Sequence, residues 1–473
     1  MSRVPPFTGP PPAGPPRPAG ADDPARMLAW EVLRAVDERG AYANLLLPAL
    51  LRERRFSERD SSFATELTYG SLRAQGQLDV MINLVSSRPV DAVDPPVRDA
   101  LRLGTYQLLR TRVPARAAVA STVELVRRTS GERPVRFANA VLRRVADRVA
   151  DSAGDVATLL DAPDAEADPI GHLAVMTAHP RWVVEAIAQA LGGDLAEARA
   201  ALDANNTRPG VHLVARPGGI GRDELLRAAR CAGLSAEPGE HSPYSVRLRG
   251  GDPGRLRAVA DGRAAVQDEG SQLVALSLLR GSTVGPDRGL VVDLCAGPGG
   301  KAALLAGLCP PGGMIGLEPR AARARLVARA GVPVARADGR HPPLRPGSAD
   351  RVLLDAPCSG LGALRRRPEA RWRRTPADVA GLVSLQRQLL VSALDLVRPG
   401  GLVAYATCSP HPAETVEVVE AVLRGRADVT MLDARSTLGE FDDLGAGPFV
   451  WLWPHRHDTD AMFLALLRRV ADT

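Results

Sequence analysis

The sequence predicts an α/β protein: a doubly wound domain in the carboxyl-terminal half, preceded by an all-α helical domain and a small α/β module. Three observations predict it. The stretch Leu290–Lys301, LVVDLCAGPGGK, reads as a strand, a glycine turn and the start of a helix, the geometry that brings backbone amides close to a ligand at the carboxyl edge of a sheet. After Gln267, branched apolar runs alternate with helically spaced segments to the end of the chain, as a parallel sheet with crossover helices requires. From about Pro24 to Arg148, apolar residues recur at three- and four-residue spacing throughout, the mark of amphipathic helices.

Size and composition bound the answer. A chain of 473 residues exceeds one ordinary core, so two or three domains are expected. Hydrophobic residues at 45% and charged residues at 24% match soluble globular protein, and with aromatics at 4% the cores must be built from Leu, Val and Ala. The sequence carries no signal peptide and no apolar run near 18 residues, so a membrane role is not expected. A net charge of +6 points towards a polyanion, although 60 basic residues stand against 54 acidic ones and the excess is small. Five cysteines without CxxC spacing give neither a disulfide framework nor a metal site, and they suit a reducing cytoplasm. His455 and His457 read as surface or loop residues, and no metal is expected.

Taken in order, residues 1–23 form a Pro/Gly-rich tail with little to bury. Residues 24–150 carry six or seven helical segments, from MLAWEVLRAV to VRFANAVLRRVADRV, and predict an all-α bundle. Residues 151–175, acidic and rich in Ala and Asp, read as a linker. Residues 176–265 form the small module, with helices at Pro180–Leu191 and Leu195–Leu202, strands at VHLVARP and YSVRLRG, and the helix RDELLRAARCAG between them. In residues 266–473 strands are expected at LVVDLC, Met314–Glu318, Val332–Asp338, Asp350–Pro357 and Leu402–Cys408, with the clearest helix at Ala377–Val397. Right-handed crossovers would set every strand's carboxyl end along one edge.

Chemistry collects at that edge. Gly297, Gly299 and Gly300 allow close backbone approach and Pro298 stiffens the turn. The loop matches neither GxxxxGK[ST] nor GxGxxG. It ends in Lys301, the only lysine of the chain. Asp293, Glu318, Asp338 and Asp355 end or follow successive strands. Glu318, about 20 residues beyond the glycine loop, is placed for a ribose diol, and the missing dinucleotide spacing favours S-adenosylmethionine over NAD. Cys358 in DAPCSG and Cys408 in YATCSP each follow a strand and precede a serine. A lone cysteine is usually a small buried hydrophobe, but two at exposed loop positions fit carbon-5 methylation of cytosine. That reaction needs a thiolate to add at C6 before C5 can attack a methyl sulfonium. An acid near N3 would stabilise the adduct, a role open to Asp355. Residue chemistry alone leaves the choice of attacking thiol open.

Several motifs in register carry a family resemblance. RDSSFATELTYGSLR, LRLGTYQLLR and RFANAVLRR in the amino-terminal helices resemble the RNA-binding NusB fold. VQDEGSQL, DLCAGPGGK, DAPCSG, LRRRPEARW and YATCSP follow in order. The sequence thus resembles the bacterial 16S rRNA cytosine-C5 methyltransferases of the RsmB/Fmu/Sun type, within the NOL1/NOP2/Sun family, over nearly the whole chain after the tail. The resemblance implies a Rossmann-like S-adenosylmethionine-dependent methyltransferase domain behind a NusB-like helical domain. It implies that Cys295, Ala296, Gly297, Pro298, Gly299, Gly300 and Lys301, with Glu318, Asp338 and Asp355, line the S-adenosyl-L-methionine site. Cys408 matches the family's nucleophile and Cys358 the cysteine that assists product release.

Arg365, Arg366, Arg367, Arg371, Arg373 and Arg374 form the densest basic cluster, directly after DAPCSG. Beside a base-modifying pocket they are expected to contact RNA phosphates, with the target cytosine unpaired or flipped out. Against the family pattern, Gly297 replaces a usual alanine and Glu318 a usual aspartate. HPAETVE keeps Glu414 but not the usual asparagine, and HDTDAMF stands where DGFF is usual. The expected partner is RNA, with 16S rRNA favoured over tRNA by the resemblance, and the expected chain is a cytoplasmic monomer. A non-catalytic RNA-binding factor is the contrasting reading, opposed by the presence of both cysteines, Asp355 and the complete loop.

Overall fold

A computed structural model of the protein describes residues 23–152, 155–439 and 441–470. The chain divides into two compact units, Met1–Ala162 and Pro163–Thr473. The tail expected over residues 1–23 lies outside the described residues except for Asp23, whose carboxylate accepts the Arg26 N–H and caps the first helix.

Six long helices make the first unit among the described residues: α1 (Pro24–Arg39), α2 (Ala43–Glu53), α3 (Glu58–Val85), α4 (Pro95–Arg110), α5 (Ala115–Ser130) and α6 (Val135–Asp151). Pro24 at the first helical position and left-handed Gly40 just past the end bound α1 as helix-terminus chemistry predicts. The apolar faces meet in one core that includes Leu28, Val32, Leu67, Ile82, Leu101 and Leu142. Within it, Arg34 and Arg102 converge on buried Asp99 at 2.8 and 3.2 Å, and Arg102 also holds Asp79 at 2.7 Å. Pairing of this kind is what permits charge inside a bundle.

The segment expected as a linker over 151–175 is not featureless. It contains α7 (Val156–Leu159) and most of α8 (Pro169–Thr177). Leu173 of α8 is buried against α9 (Arg181–Ala190) and α10 (Leu195–Asn205) in a core that also takes in Leu361, Leu364 and Trp453. Small Ala side chains let these helices pack closely despite their acidic surroundings. The next stretch forms a four-stranded antiparallel sheet ordered β2-β3-β1-β4, from β1 (Val211–Ala215), β2 (Ala236–Pro238), β3 (Ser245–Leu248) and β4 (Ala264–Val266). Helix α11 (Arg222–Cys231) covers it with Leu225 and Ala229, and the short α12 (Arg257–Ala260) follows. Because these cores share residues with the following domain, the small module belongs to one compact unit with it.

The remaining chain alternates as expected: α13 (Glu269–Arg280), β5 (Val291–Asp293), α14 (Gly300–Leu308), β6 (Met314–Leu317), α15 (Ala321–Arg329), β7 (Val334–Ala335), β8 (Ala349–Asp355), α16 (Ala370–Arg373), α17 (Pro376–Leu396), β9 (Val397–Thr407) and α18 (Val416–Leu423). Then come β10 (Val429–Leu432), β11 (Val450–Leu452), α19 (Pro454–His457) and β12 (Met462–Arg469). The strand order is β10-β12-β9-β8-β5-β6-β7, with β11 beside β12. From β9 to β7 the strands are parallel, whereas β12 runs antiparallel to β9, β10 and β11. The sheet is therefore mixed, and the single edge expected for every strand end holds only for its parallel part.

The order reverses between β5 and β8, which places a ligand crevice at their carboxyl ends. Among the described residues one helix, α17, is long and apolar enough to cross a membrane, contrary to the expectation that no such run exists. Its Leu389, Leu390, Ala393 and Leu394 are buried against the sheet. A capping box between Thr375 and Asp378 fixes its start.

Candidate active site

The glycine loop leaves β5 at Asp293 and enters α14 at Gly300. Gly299 sits at φ 110°, a backbone setting suited to glycine, and a Cβ there would meet the Val327 backbone at 3.1 Å. Gly297 has a different reason. A Cβ on it would fall 2.1 Å from Oε2 of Glu318, and the Arg323 guanidinium donates to its carbonyl. Glu318 is almost fully buried; it accepts the Arg320 N–H at 2.9 Å and faces Arg323 Nε at 3.5 Å. A cradle without side chains, the start of a nine-residue helix and carboxylates at adjoining strand ends together suit an adenosyl amino acid carrying both positive groups and a ribose.

The carboxylates share one electrostatic neighbourhood. Burial first, and then the Asp355 carboxylate, push Asp293 up to about 7. Lys301 reaches across from α14 and donates to Asp355 Oδ2 at 2.8 Å. Burial works against the charge of Lys301, but Asp355 and Asp293 hold its pKa above the ordinary value. Asp338 lies beyond β7, half exposed, where Arg340 grips it at 2.6 Å and lowers it to about 2. Burial first, and then the charges of these acids, push the Cys295 thiol up.

Parallel pairing of β8 and β9 sets Asp355 opposite Ala406, so the loops bearing Cys358 and Cys408 leave the sheet side by side. Their Sγ atoms are 3.4 Å apart. The Gly362 N–H donates to the Cys408 carbonyl at 2.9 Å and ties the loops again. The two sulfurs differ in setting. The hydrogen bond from Cys358 lowers the pKa of Cys408, with Lys301 and Arg367 acting in the same direction against burial and Asp355. Cys358 is pushed up by that same contact, then by burial, and faces the charges of Glu414 and Asp355. The surrounding charges thus favour the thiolate at Cys408 over Cys358.

The arginine cluster divides. Arg365 is 1% exposed and bonds Asp460 at 2.9 Å and Asp458 at 2.8 Å; Arg371 is 0% exposed and donates to the Ala178 carbonyl and Asn206 Oδ1. Arg366 links Asp268 at 2.7 Å to Asp460 at 3.0 Å. These three do not face solvent as an RNA-contacting cluster would. Arg365 and Arg366 join VQDEGSQL, through Asp268, to HDTDAMF, through Asp458 and Asp460, whereas Arg371 ties to Ala178 and Asn206 instead. Arg367 is exposed and Arg373 and Arg374 are half-buried. His457, expected on the surface, is buried and accepts the Trp453 N–H at 2.9 Å, while His455 meets Glu197 at 3.2 Å.

Sequence reasoning gave no role to Gln386, Ser359 and Ser409. All three surround Glu414, beneath the cysteine loops. The one available signal was a serine after each cysteine.

Comparison with known proteins agrees with this architecture. Residues 285–468 match the family model "16S rRNA methyltransferase RsmB/F", and residues 23–147 match the NusB family. Rv1407 of Mycobacterium tuberculosis, provisionally named a methyltransferase, is 56% identical over 95% of this chain and 97% of its own length. The ribosomal RNA small subunit methyltransferase B of Klebsiella pneumoniae is 32% identical over 86% of this chain and 91% of its own. The crystal structure of PH0851 superposes with a TM-score of 0.77 at 22% identity, covering 95% of this chain and 99% of that one, a likeness of fold. With a NusB-like helical domain at its amino end and a mixed-sheet methyltransferase fold behind it, the chain belongs to the RsmB/F family of 16S rRNA methyltransferases.

Proposed function

We propose that the protein transfers a methyl group from S-adenosylmethionine to C5 of a cytosine in 16S rRNA, in the cytoplasm, through a covalent adduct between Cys408 and C6. The observation that carries this reading is the 3.4 Å approach of two thiols at adjacent strand ends, beside the Lys301–Asp355 pair and the glycine loop. When bound, S-adenosylmethionine supplies an electrophilic methyl group. Gly297 to Lys301 and Glu318 hold the donor, and Asp338, farther along the sheet edge, completes the site.

Cys408, favoured as the thiolate by Cys358, Lys301 and Arg367, forms its bond to C6, and the C5=C6 electron pair would bond the methyl carbon as its bond to the donor sulfur breaks, leaving a neutral thioether. As charge builds on the ring, N3 takes up a proton, and the Asp355 carboxylate accepts the hydrogen bond from N3–H. A solvent base takes the C5 proton, its electron pair re-forms C5=C6, and the Cys408–C6 bond breaks with its electrons returning to Cys408. Cys358, protonated and in contact with Cys408, assists that release. Arg367, exposed, and Arg373 and Arg374, half-buried, are the arginines of the cluster that meet RNA phosphates in this reading.

The test is bisulfite sequencing of 16S rRNA and tRNA from cells with and without the gene, paired with transfer of labelled methyl from S-adenosylmethionine in vitro. Loss of one 16S cytosine modification with the gene supports the proposal. A lost tRNA site would reassign the substrate, and unchanged cytosines throughout would favour a non-catalytic RNA-binding role.

A further inference from the structure

Beneath the two cysteine loops lies a carboxylate with no exposed surface. Glu414, six residues beyond Cys408, has its Oε1 bonded by the Ser359 N–H at 2.8 Å and by Gln386 Nε2 at 3.1 Å. Its Oε2 is bonded by Ser359 Oγ at 2.5 Å and Ser409 Oγ at 2.6 Å. Ser359 follows Cys358 and Ser409 follows Cys408, so one side chain grips both cysteine loops one residue from each sulfur. The clamp is itself held from two sides. Tyr405 donates its hydroxyl to the Glu414 carbonyl at 2.7 Å, and Gln386, on α17, also donates to the Pro357 carbonyl at 2.9 Å. A buried carboxylate is costly unless its oxygens are satisfied, and these four donors satisfy it with groups drawn from three separate segments.

We propose that Glu414 is a positioning residue that sets the spacing of Cys358 and Cys408, rather than a group that touches the substrate. This rests on the two-thiol reading above. It has a second consequence, because the Glu414 charge lies on the Cys358 side and helps that thiol keep its proton while Cys408 ionises.

The test reads the sulfur spacing directly as well as through activity. Diamide joins neighbouring thiols: one thiolate adds to its N=N bond, and the second attacks that sulfur and breaks its new S–N bond. The S–S bond forms, and the reduced hydrazine leaves with the two thiol protons. In the full-length protein, the rate at which the Cys358–Cys408 linked peptide appears by mass spectrometry reports how often the sulfurs meet.

Glu414→Ala is expected to slow crosslinking about tenfold and kcat about 100-fold, in line with the cost of displacing a reacting group by an ångström, with KM for S-adenosylmethionine within about twofold. Glu414→Gln keeps the shape, and the two serine hydroxyls can rotate to accept from its amide. It is expected to restore most of the crosslinking rate. Should Glu414→Ala not fold, Ser359→Ala/Ser409→Ala removes only the hydroxyl bonds and is expected to slow both rates in the same direction. Wild-type crosslinking and kcat in the folded variants would overturn the positioning role. Absence of the linked peptide from the wild-type protein would instead overturn the two-thiol reading beneath it.

Discussion

Gly297 and Glu318 occupy each other's space: the glycine leaves vacant the volume that the longer carboxylate fills, since a Cβ would stand 2.1 Å from Oε2. Glu318 is buried and pinned by the Arg320 N–H, so it cannot swing away freely. Gly297→Ala should weaken S-adenosylmethionine binding about 10- to 100-fold, the range expected for overpacking. Glu318→Asp alone should cost less. The double variant should bind better than Gly297→Ala, as measured by calorimetry, because the shorter acid withdraws from the new methyl group. Additive losses would contradict the pairing.

Lys301 acts on Cys408 through charge. Replacing it with methionine keeps the bulk and removes one of the two cations, besides Arg367, that oppose Asp355 at the sulfur. The pH profile of Cys408 alkylation by iodoacetamide should then shift upwards, the effect of removing a nearby opposite charge. An unshifted profile would show that Lys301 does not tune the thiol.

Asp293 is raised to about 7 by burial and by Asp355. An unfolded chain releases the same proton near about 3.9. The folded state therefore holds a proton that the unfolded state has lost between those values, and stability declines as pH rises through that window. Asp293→Asn should flatten this decline in chemical denaturation of the ligand-free protein between about pH 4 and 7. An unchanged slope would contradict the assignment.

The arginines should separate by assay. Arg365→Ala strips a buried partner from Asp460 and should cost about 3 kcal/mol or more in stability. Replacing Arg367, Arg373 and Arg374 by alanine should leave the melting temperature near wild type. It should weaken RNA binding and flatten its salt dependence, by about 0.7 in slope for each single-stranded phosphate that is no longer neutralised. Equal melting losses in both variants would contradict the division.

The helices of the first unit and the parallel strands were legible because amphipathic period and branched apolar runs are local properties. The antiparallel strand β12 was not, because its neighbours β9, β10 and β11 are chosen by pairing across the sheet. The same reason hid the fate of Arg365. Three arginines in a row look like surface, yet the acids that hold Arg365 and Arg366, namely Asp268, Asp458 and Asp460, lie more than ninety residues away in sequence. Two Cys-Ser pairs at strand ends were visible as chemistry. The Glu414 that ties them was not, because its four donors come from three segments and meet only when α17 packs on the sheet.

The most direct measurement concerns the covalent intermediate. Cys358→Ser, incubated with 16S rRNA and S-adenosylmethionine, should accumulate an RNA–protein complex that survives denaturing electrophoresis. The complex should disappear when Cys408→Ser is added to the same chain. A Cys358→Ser enzyme that turns over normally without such a complex, or a complex that persists without Cys408, would contradict the account.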